Sequence, residues 1–267
     1  MPITSTTDEL LVEQDGHILT ITLNRPDRLN AISGPMLGNL SSVLQAANID
    51  RSVRVVILTG AGRGFCAGLD LKAQSAGDDS LQSARGYNLF DLHNSPPIVI
   101  NRMDKPIVCA LNGAAAGYGM DLALGCDIRI ASEHAKMGAV FAKRGVLPES
   151  GGCWYLPRLL GWAKAAEVAF LGDVLDANRS LELGLVNRVV KHDDLMTEAK
   201  KMATQIANNA PLSVQSTKRM MRLGMEESFE AAVDHIYLQL LPLFQSEDFK
   251  EGLSSFAERR EPNFKGR

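Results

Sequence analysis

Cysteine is scarce in this 267-residue chain and scattered where it occurs. Cys66, Cys109, Cys126 and Cys153 form no CxxC pair, and no histidine stands at a finger-like spacing from them. This excludes a zinc module and gives no basis for a disulfide framework, so four buried free thiols in a reducing compartment are expected. Neither sign of charge dominates. With 28 Lys and Arg against 31 Asp and Glu, the formal net charge of −3 leaves no broad footprint for nucleic acid. A clean membrane span is also missing. Ile107 to Cys126 is apolar overall, but Asn112, Asp121 and several glycines interrupt it, so it reads as buried core. Residues 1–10 lack the apolar run of a signal peptide and the arginines of a transit peptide, and a cytoplasmic protein is expected.

Two nucleotide signatures are missing as well. The glycine-rich run from Gly60 to Asp70 follows an apolar, β-branched segment, as a phosphate loop would. The third glycine of G-x-G-x-x-G, however, is replaced by Phe65, and no G-x-x-x-x-G-K-[ST] occurs anywhere. A lone glycine cluster is ordinarily a surface turn. At a strand end it also lets backbone N–H groups approach an anion or oxyanion closely.

What is present is ordinary in bulk, with 45% hydrophobic and 22% charged residues, enough for one full core. Residues 10–23 read as a hairpin turning at Asp15-Gly16, and Gly34 to Ile49 has helical spacing. Val53 to Thr59 reads as a strand buried on both faces, and Pro106–Leu111, Asp127–Ala131 and Val186–Val190 as further short strands. Strand, turn and helix recur at uneven intervals, which implies an α/β architecture. Beyond Lys191 the pattern is helical, with one helix through Leu195–Ile206, a second region over 212–240 and a third from Ser246. The chain is accordingly divided into a core over residues 1–200 and a C-terminal helical oligomerisation region over 201–267. The mixed Gly, Ser and Asp segment 73–100 reads as a mobile loop that shapes the pocket before a helix begins.

A second small-residue run, Asn112-Gly-Ala-Ala-Ala-Gly-Tyr-Gly-Met-Asp-Leu122, follows another apolar strand and passes into a helix, whose start offers unpaired N–H groups. Taken with Phe65-Cys-Ala-Gly-Leu-Asp-Leu71, it resembles the paired signature loops of the enoyl-CoA hydratase/isomerase (crotonase) superfamily. Leu23-Asn-Arg-Pro-Asp-Arg-Leu-Asn-Ala31, Cys126-Asp-Ile-Arg-Ile-Ala131, Leu147-Pro-Glu-Ser-Gly-Gly152 and Glu182-Leu-Gly-Leu-Val186 extend the resemblance over nearly the whole chain. The resemblance implies a spiral of repeated strand-strand-helix units. It also implies an oxyanion hole made by the backbone N–H of Leu69 and that of Tyr118, where many relatives have glycine. An acyl-CoA thioester would be the substrate, its coenzyme A held by Arg25, Arg28, Ala67, Leu69 and Lys72. Phe264 and Lys265 would reach the CoA of a neighbouring subunit in a homotrimer or homohexamer. No cofactor beyond the substrate's own CoA, and no metal, is implied.

The acids depart from the family pattern. Typical hydratases carry two glutamates; here the first position is Asp121 and the second is Phe141, which cannot carry a proton. Glu149 stands where the peroxisomal type of Δ3,Δ2-enoyl-CoA isomerase carries its single acid. One carboxylate suffices for isomerisation, taking a proton from the α-carbon and returning it at the γ-carbon. Glu149 is therefore expected as the principal acid/base, raised in pKa by an apolar pocket that includes Phe141. Asp121 reads as a second catalytic acid or, slightly preferred, as a structural residue in the first turn of its helix. Asp70 reads as a turn-fixing residue, and His93, His134 and His192 as ordinary polar or packing residues. Hydration and isomerisation both stay open, as do thioester hydrolysis, dehalogenation and decarboxylation on the same scaffold. So does a catalytically silent CoA-ester-binding protein.

Overall fold

The computed structural model describes residues 2–70 and 94–267; Leu71, Lys72, His93 and most of the 73–100 segment lie outside the described residues. The fold grows from Val55–Gly60 (β3), six residues all buried, as the unbroken apolar run requires. Val56 and Leu58 face the main core, whereas Val55 and Ile57 face a second cluster. The alternation is the period of two expected of a strand covered on both sides.

Leu10–Asp15 (β1) and Ile18–Leu23 (β2) form the expected antiparallel hairpin, and β2 then runs parallel to β3. Ile107–Leu111 (β5), Ile128–Ser132 (β7) and Arg188–Val190 (β10) complete a six-stranded sheet in the order β1-β2-β3-β5-β7-β10. A second sheet, β4-β6-β8-β9, consists of three-residue strands: Gly64–Cys66 (β4), Ala114–Ala116 (β6), Lys136–Gly138 (β8) and Val174–Asp176 (β9). Its strands are the immediate successors of those in the first: β3 leads into β4, β5 into β6, and β7 into β8. Each repeat thus gives one strand to each sheet before the chain returns, which is the strand-strand-helix spiral.

Gly34–Ile49 (α1) carries Ser33 as N-cap, its hydroxyl accepting from the Met36 amide, and packs Met36, Leu40 and Leu44 into the main core. Pro96–Arg102 (α2) and Tyr118–Gly125 (α3) follow. Gly152–Leu160 (α4), Trp162–Leu171 (α5) and Ala177–Leu183 (α6) come next. Leu195–Ala207 (α7) covers the outer face of the large sheet, pressing Leu195, Ala199, Ala203 and Ala207 onto Val55, Val108 and Ile130. The division expected after residue 200 falls inside this helix.

The helical C-terminus differs in count from its expectation. The region read as one helix over 212–240 is two, Pro211–Gly224 (α8) and Phe229–Gln245 (α9), because Ser228 caps a fresh start by accepting from the Ala231 amide. Glu247–Glu258 (α10) starts as expected, with Ser246 as its N-cap. Helix α8 is held to the body by ions. Lys218 Nζ donates to Asp127 Oδ2 at 2.7 Å and Arg222 Nη2 to Asp104 Oδ1 at 2.7 Å. Helix α9, by contrast, buries none of its seventeen residues. No helix among the described residues is long and apolar enough to cross a membrane.

The joint between the N-terminal motif and β4 is polar and fully buried. Asn30, in the left-handed region at φ 56°, accepts from the Arg25 amide at 2.8 Å and donates to the carbonyls of Ala61 (2.9 Å) and Gly64 (2.7 Å). Asn30→Ala strands those three groups in the interior and places a residue averse to that backbone conformation there. We expect it to lower unfolding stability by roughly 2–4 kcal/mol, read from urea denaturation.

Candidate active site

Both signature loops emerge from the same sheet. β4 and β6 are parallel neighbours, so the turns that follow them leave side by side. Their closeness is steric fact. A β-carbon on Gly119 would lie 2.0 Å from the Cys66 carbonyl oxygen, so only glycine fits there. A β-carbon on Gly68, whose φ is +102°, would stand 3.8 Å from the Tyr118 nitrogen.

Leu69 forms a parallel bridge with Ile32, in which Ile32 N–H donates to the Gly68 carbonyl and Asp70 N–H to the Ile32 carbonyl. In such a bridge the amide of Leu69 faces away from Ile32. Tyr118 opens α3, where an amide has no carbonyl one turn earlier to meet. Among the described residues neither amide has a hydrogen-bond partner. The two N–H groups singled out from the sequence therefore lie on adjacent turns, with donor capacity to spare.

The first turn of α3 also carries the chemistry. Tyr118 and Asp121 are three residues apart and share a helix face. Asp121 is 2% exposed; the Gly152 and Ser150 amides draw near its carboxylate, but neither oxygen is in a well-formed hydrogen bond among the described residues. Burial, and secondarily the charge of Glu149, push its pKa up to about 7, against the pull of the Gly152 and Ser150 amides. The 148–152 loop lies directly on it, for a β-carbon at Gly152 would sit 2.3 Å from Asp121 Oδ1. The Tyr118 ring is buried, its hydroxyl unpartnered, and the phenol is driven upward by burial and then by Cys66, Glu149 and Asp121. Phe141, 5% exposed, stands against the turn at Gly117, its ring 3.9 Å from where a β-carbon would be.

Glu149 is exposed, its Oε1 accepting from the Ser150 hydroxyl at 3.3 Å. An enclosed Glu149 beside Phe141 is thus not what this chain presents; the enclosed acid is Asp121. The period and spacing of α3 gave a signal for this, since Asp121 follows Tyr118 on the face turned inward. A second correction concerns Cys153. Three cysteines are buried as expected, but Cys153 is exposed, two residues after the apolar-poor Ser150-Gly151 turn, and feels the charges of Asp121 and Glu149. Cys66, fully enclosed, has its thiol pushed up to about 12 by burial.

Arg25 is engaged. Its guanidinium meets Glu9 at 3.0 Å, Asp70 at 3.0 Å and the Ala31 carbonyl at 2.6 Å, which pins the first loop to the N-terminal hairpin. Asp70 thus fixes its turn as the sequence implies. Arg28 and Ala67 are exposed, and Lys72 lies outside the described residues. Phe264 and Lys265 are far along the chain and bound to their own protomer. The Phe264 carbonyl accepts from Arg54 at 2.7 Å, and the Lys265 amide donates to Asp248 at 2.6 Å. His134 and His192 stack at 5.6 Å between ring centres, with Ser132 Oγ 3.1 Å from His192 Nδ1.

The buried acid makes stability depend on pH. Between the ordinary value of 3.8 and about 7 the folded chain keeps a proton that the unfolded chain releases, so stability falls as pH rises through that window. The slope is at most about 1.4 kcal/mol per pH unit. Asp121→Asn should lack it, and should gain on the parent protein between pH 5 and pH 8 in urea unfolding.

Comparison with known proteins agrees with the geometry. The family model described as enoyl-CoA hydratase/isomerase matches residues 13–267. The chain is 35% identical over 252 residues to 1,2-epoxyphenylacetyl-CoA isomerase of Escherichia coli, covering 94% of this chain and 95% of that one. It is 36% identical over 268 residues to (E)-benzylidenesuccinyl-CoA hydratase of Thauera aromatica, with 100% of each covered. A crystal structure of enoyl-CoA hydratase from Mycobacterium tuberculosis superposes with TM-score 0.88 at 36% identity, covering 98% of this chain and 100% of that one. The spiral, the adjacent loops and these matches agree: the chain belongs to the enoyl-CoA hydratase/isomerase family.

Proposed function

We propose that this protein adds water to a 2-enoyl-CoA thioester, or removes it from the 3-hydroxyacyl product, using Asp121 and Glu149 as a pair of acids. The observation that carries the reading is Asp121 itself: a carboxyl buried beneath the 148–152 loop and raised to about 7, by burial first and by the charge of Glu149 second. A group poised there exchanges its proton near neutral pH, as acid/base work requires. The amides of Leu69 and Tyr118 receive the charge that builds on the thioester oxygen. Water oxygen bonds to C3 and its proton passes to Asp121. The π pair moves through C2 to the carbonyl as an enolate, and C2 then takes a proton that the exposed Glu149 passes in from solvent. Exchange with solvent resets both acids. Each preorganised amide is worth ~3 kcal/mol of barrier.

Isomerisation of a 3-enoyl to a 2-enoyl thioester is the second reading. It needs one acid, and Glu149 stands exposed on the 148–152 loop, with no ion pair among the described residues. In either reaction Arg28, Ala67, Leu69 and Lys72 hold the coenzyme A, which is substrate and the only cofactor-like group needed. Arg25 serves the same site by tying Asp70 in place. Helix α9 has no fully buried residue and exposes Phe229 (79%), Tyr237 (64%) and Leu238 (66%), which supports association into a homotrimer or homohexamer; the location we propose is the cytoplasm. Phe264 and Lys265 then reach a neighbour's CoA.

Ultraviolet absorbance separates the reactions. Loss of the conjugated signal from crotonyl-CoA marks hydration, and its appearance from 3-hexenoyl-CoA marks isomerisation. Glu149→Gln should lower kcat by roughly 10²–10⁴ while CoA-ester binding, read by calorimetry, persists. Near-normal turnover would remove Glu149 from the mechanism. Silence of the parent protein on both substrates, with CoA esters still bound, would favour the binding protein.

A further inference from the structure

Buried side-chain polar atoms without a hydrogen bond are few among the described residues: Ser41 Oγ, the Tyr118 hydroxyl and both oxygens of Asp121. Three of the four thus belong to two residues on one face of one helical turn. Each such atom costs ~1–3 kcal/mol when left unmade, so a cluster of them marks a place kept polar for a reason other than stability. The Gly152 and Ser150 amides draw near Asp121, but the rest of the neighbourhood offers the Tyr118 hydroxyl no local partner among the described residues. Cys66 is a closed thiol committed toward the Gly68 amide, and Phe141 on the next element is apolar. Glu149, on the loop above, is already accepting from Ser150.

The residue type sharpens the point. The Tyr118 main-chain N–H needs no side chain, and the position opens a turn where small residues surround it on either side. A phenol there adds, within the electrostatic reach of Asp121, one donor that nothing among the described residues uses. The Phe141 ring, meanwhile, occupies the neighbouring wall where a second acid would have stood.

We propose that the Tyr118 phenol is a catalytic residue of the hydration reaction, holding the water oxygen against Asp121. The proposal rests on the hydratase reading above. Water has two lone pairs and two protons. One lone pair accepts from the Tyr118 O–H, the other attacks C3, and one proton leaves to Asp121. In the reverse direction the phenol donates to the departing hydroxyl oxygen while Asp121 returns the proton. The phenol stays protonated throughout, as its burial dictates. The substrate class follows: the site accepts thioesters that carry or gain a hydroxyl at C3. Isomerisation, which moves no oxygen, calls on the Tyr118 main-chain N–H but not on its phenol.

Tyr118→Phe tests this, since it keeps the ring and the main-chain N–H and removes one oxygen. With crotonyl-CoA, kcat for hydration should fall roughly tenfold to hundredfold at unchanged KM. Any turnover of 3-hexenoyl-CoA should stay within twofold, and the thermal midpoint should not fall, because an unpartnered buried hydroxyl is lost. Hydration by the variant at the parent rate overturns the proposal and leaves the hydratase reading standing. So does a loss of hydration matched by a loss of CoA-ester affinity or of fold. A parent protein inert toward crotonyl-CoA overturns the hydratase reading itself, and Tyr118's role with it.

Discussion

The pairing of two three-residue strands, β4 and β6, is the contact on which the site depends. Strands this short have too few hydrogen bonds to hold their own register. The hold comes from buried amide side chains at their roots. Asn112 accepts from the Gly60 amide at 3.2 Å and donates to the carbonyls of Gly62 (2.9 Å) and Gly64 (3.0 Å). Asn30 reaches the same Gly64 carbonyl from the opposite side. Thr59 Oγ1 ties the preceding strand to Ala110 at 2.8 Å. With the roots fixed, the loops touch at Gly119 and Cys66, and the amides of Leu69 and Tyr118 have little freedom to part. The large sheet and its two apolar clusters are the rigid ground beneath this joint.

On that ground the molecule sustains an electrostatic cost. Asp121 lies in the first turn of a helix, which favours its charge, yet burial and the neighbouring Glu149 win and its pKa rises. The same burial raises the phenol of Tyr118 and the thiol of Cys66. In all three shifts burial is the largest cause. Destabilisation concentrated on one turn, with well-satisfied amides a few residues away, separates the part of the chain that folds the protein from the part that reacts.

Much of the architecture was legible from pattern alone. The strands of the large sheet announce themselves because they are buried on both faces and read as unbroken apolar runs. The small sheet does not. Gly64–Cys66 and Ala114–Ala116 are glycine and alanine rich, and their strand character comes only from each other. The break between α8 and α9 has one local signal, Gly224 at the end of α8, and the apolar spacing that continues on both sides of it hid the stop. The order of the two loops was readable from their resemblance to a family, and so were the positions of Asp121, Phe141 and Glu149. Their environments were not: which acid is enclosed depends on how the 148–152 loop closes over α3, a long-range contact with no local signature. Arg25 shows the same limit, since its partners Glu9 and Asp70 come from distant segments.

Those environments divide the labour between the two acids in a way that identity alone does not. A buried acid shifted toward neutrality transfers a proton readily to a substrate atom, but exchanges slowly with bulk water through an apolar wall. An exposed acid has the opposite virtues. Two glutamates in one cavity would compete for both tasks, whereas Asp121 beneath Gly152 and Glu149 above Ser150 stand on different sides of one loop. The shorter aspartate suits the enclosed position, because the space under Gly152 has no room even for a β-carbon. Phe141 then follows as a consequence rather than a defect. With the proton-refreshing role moved out to Glu149, that position carries an apolar ring that packs against the turn at Gly117 and leaves the water of the reaction to Asp121.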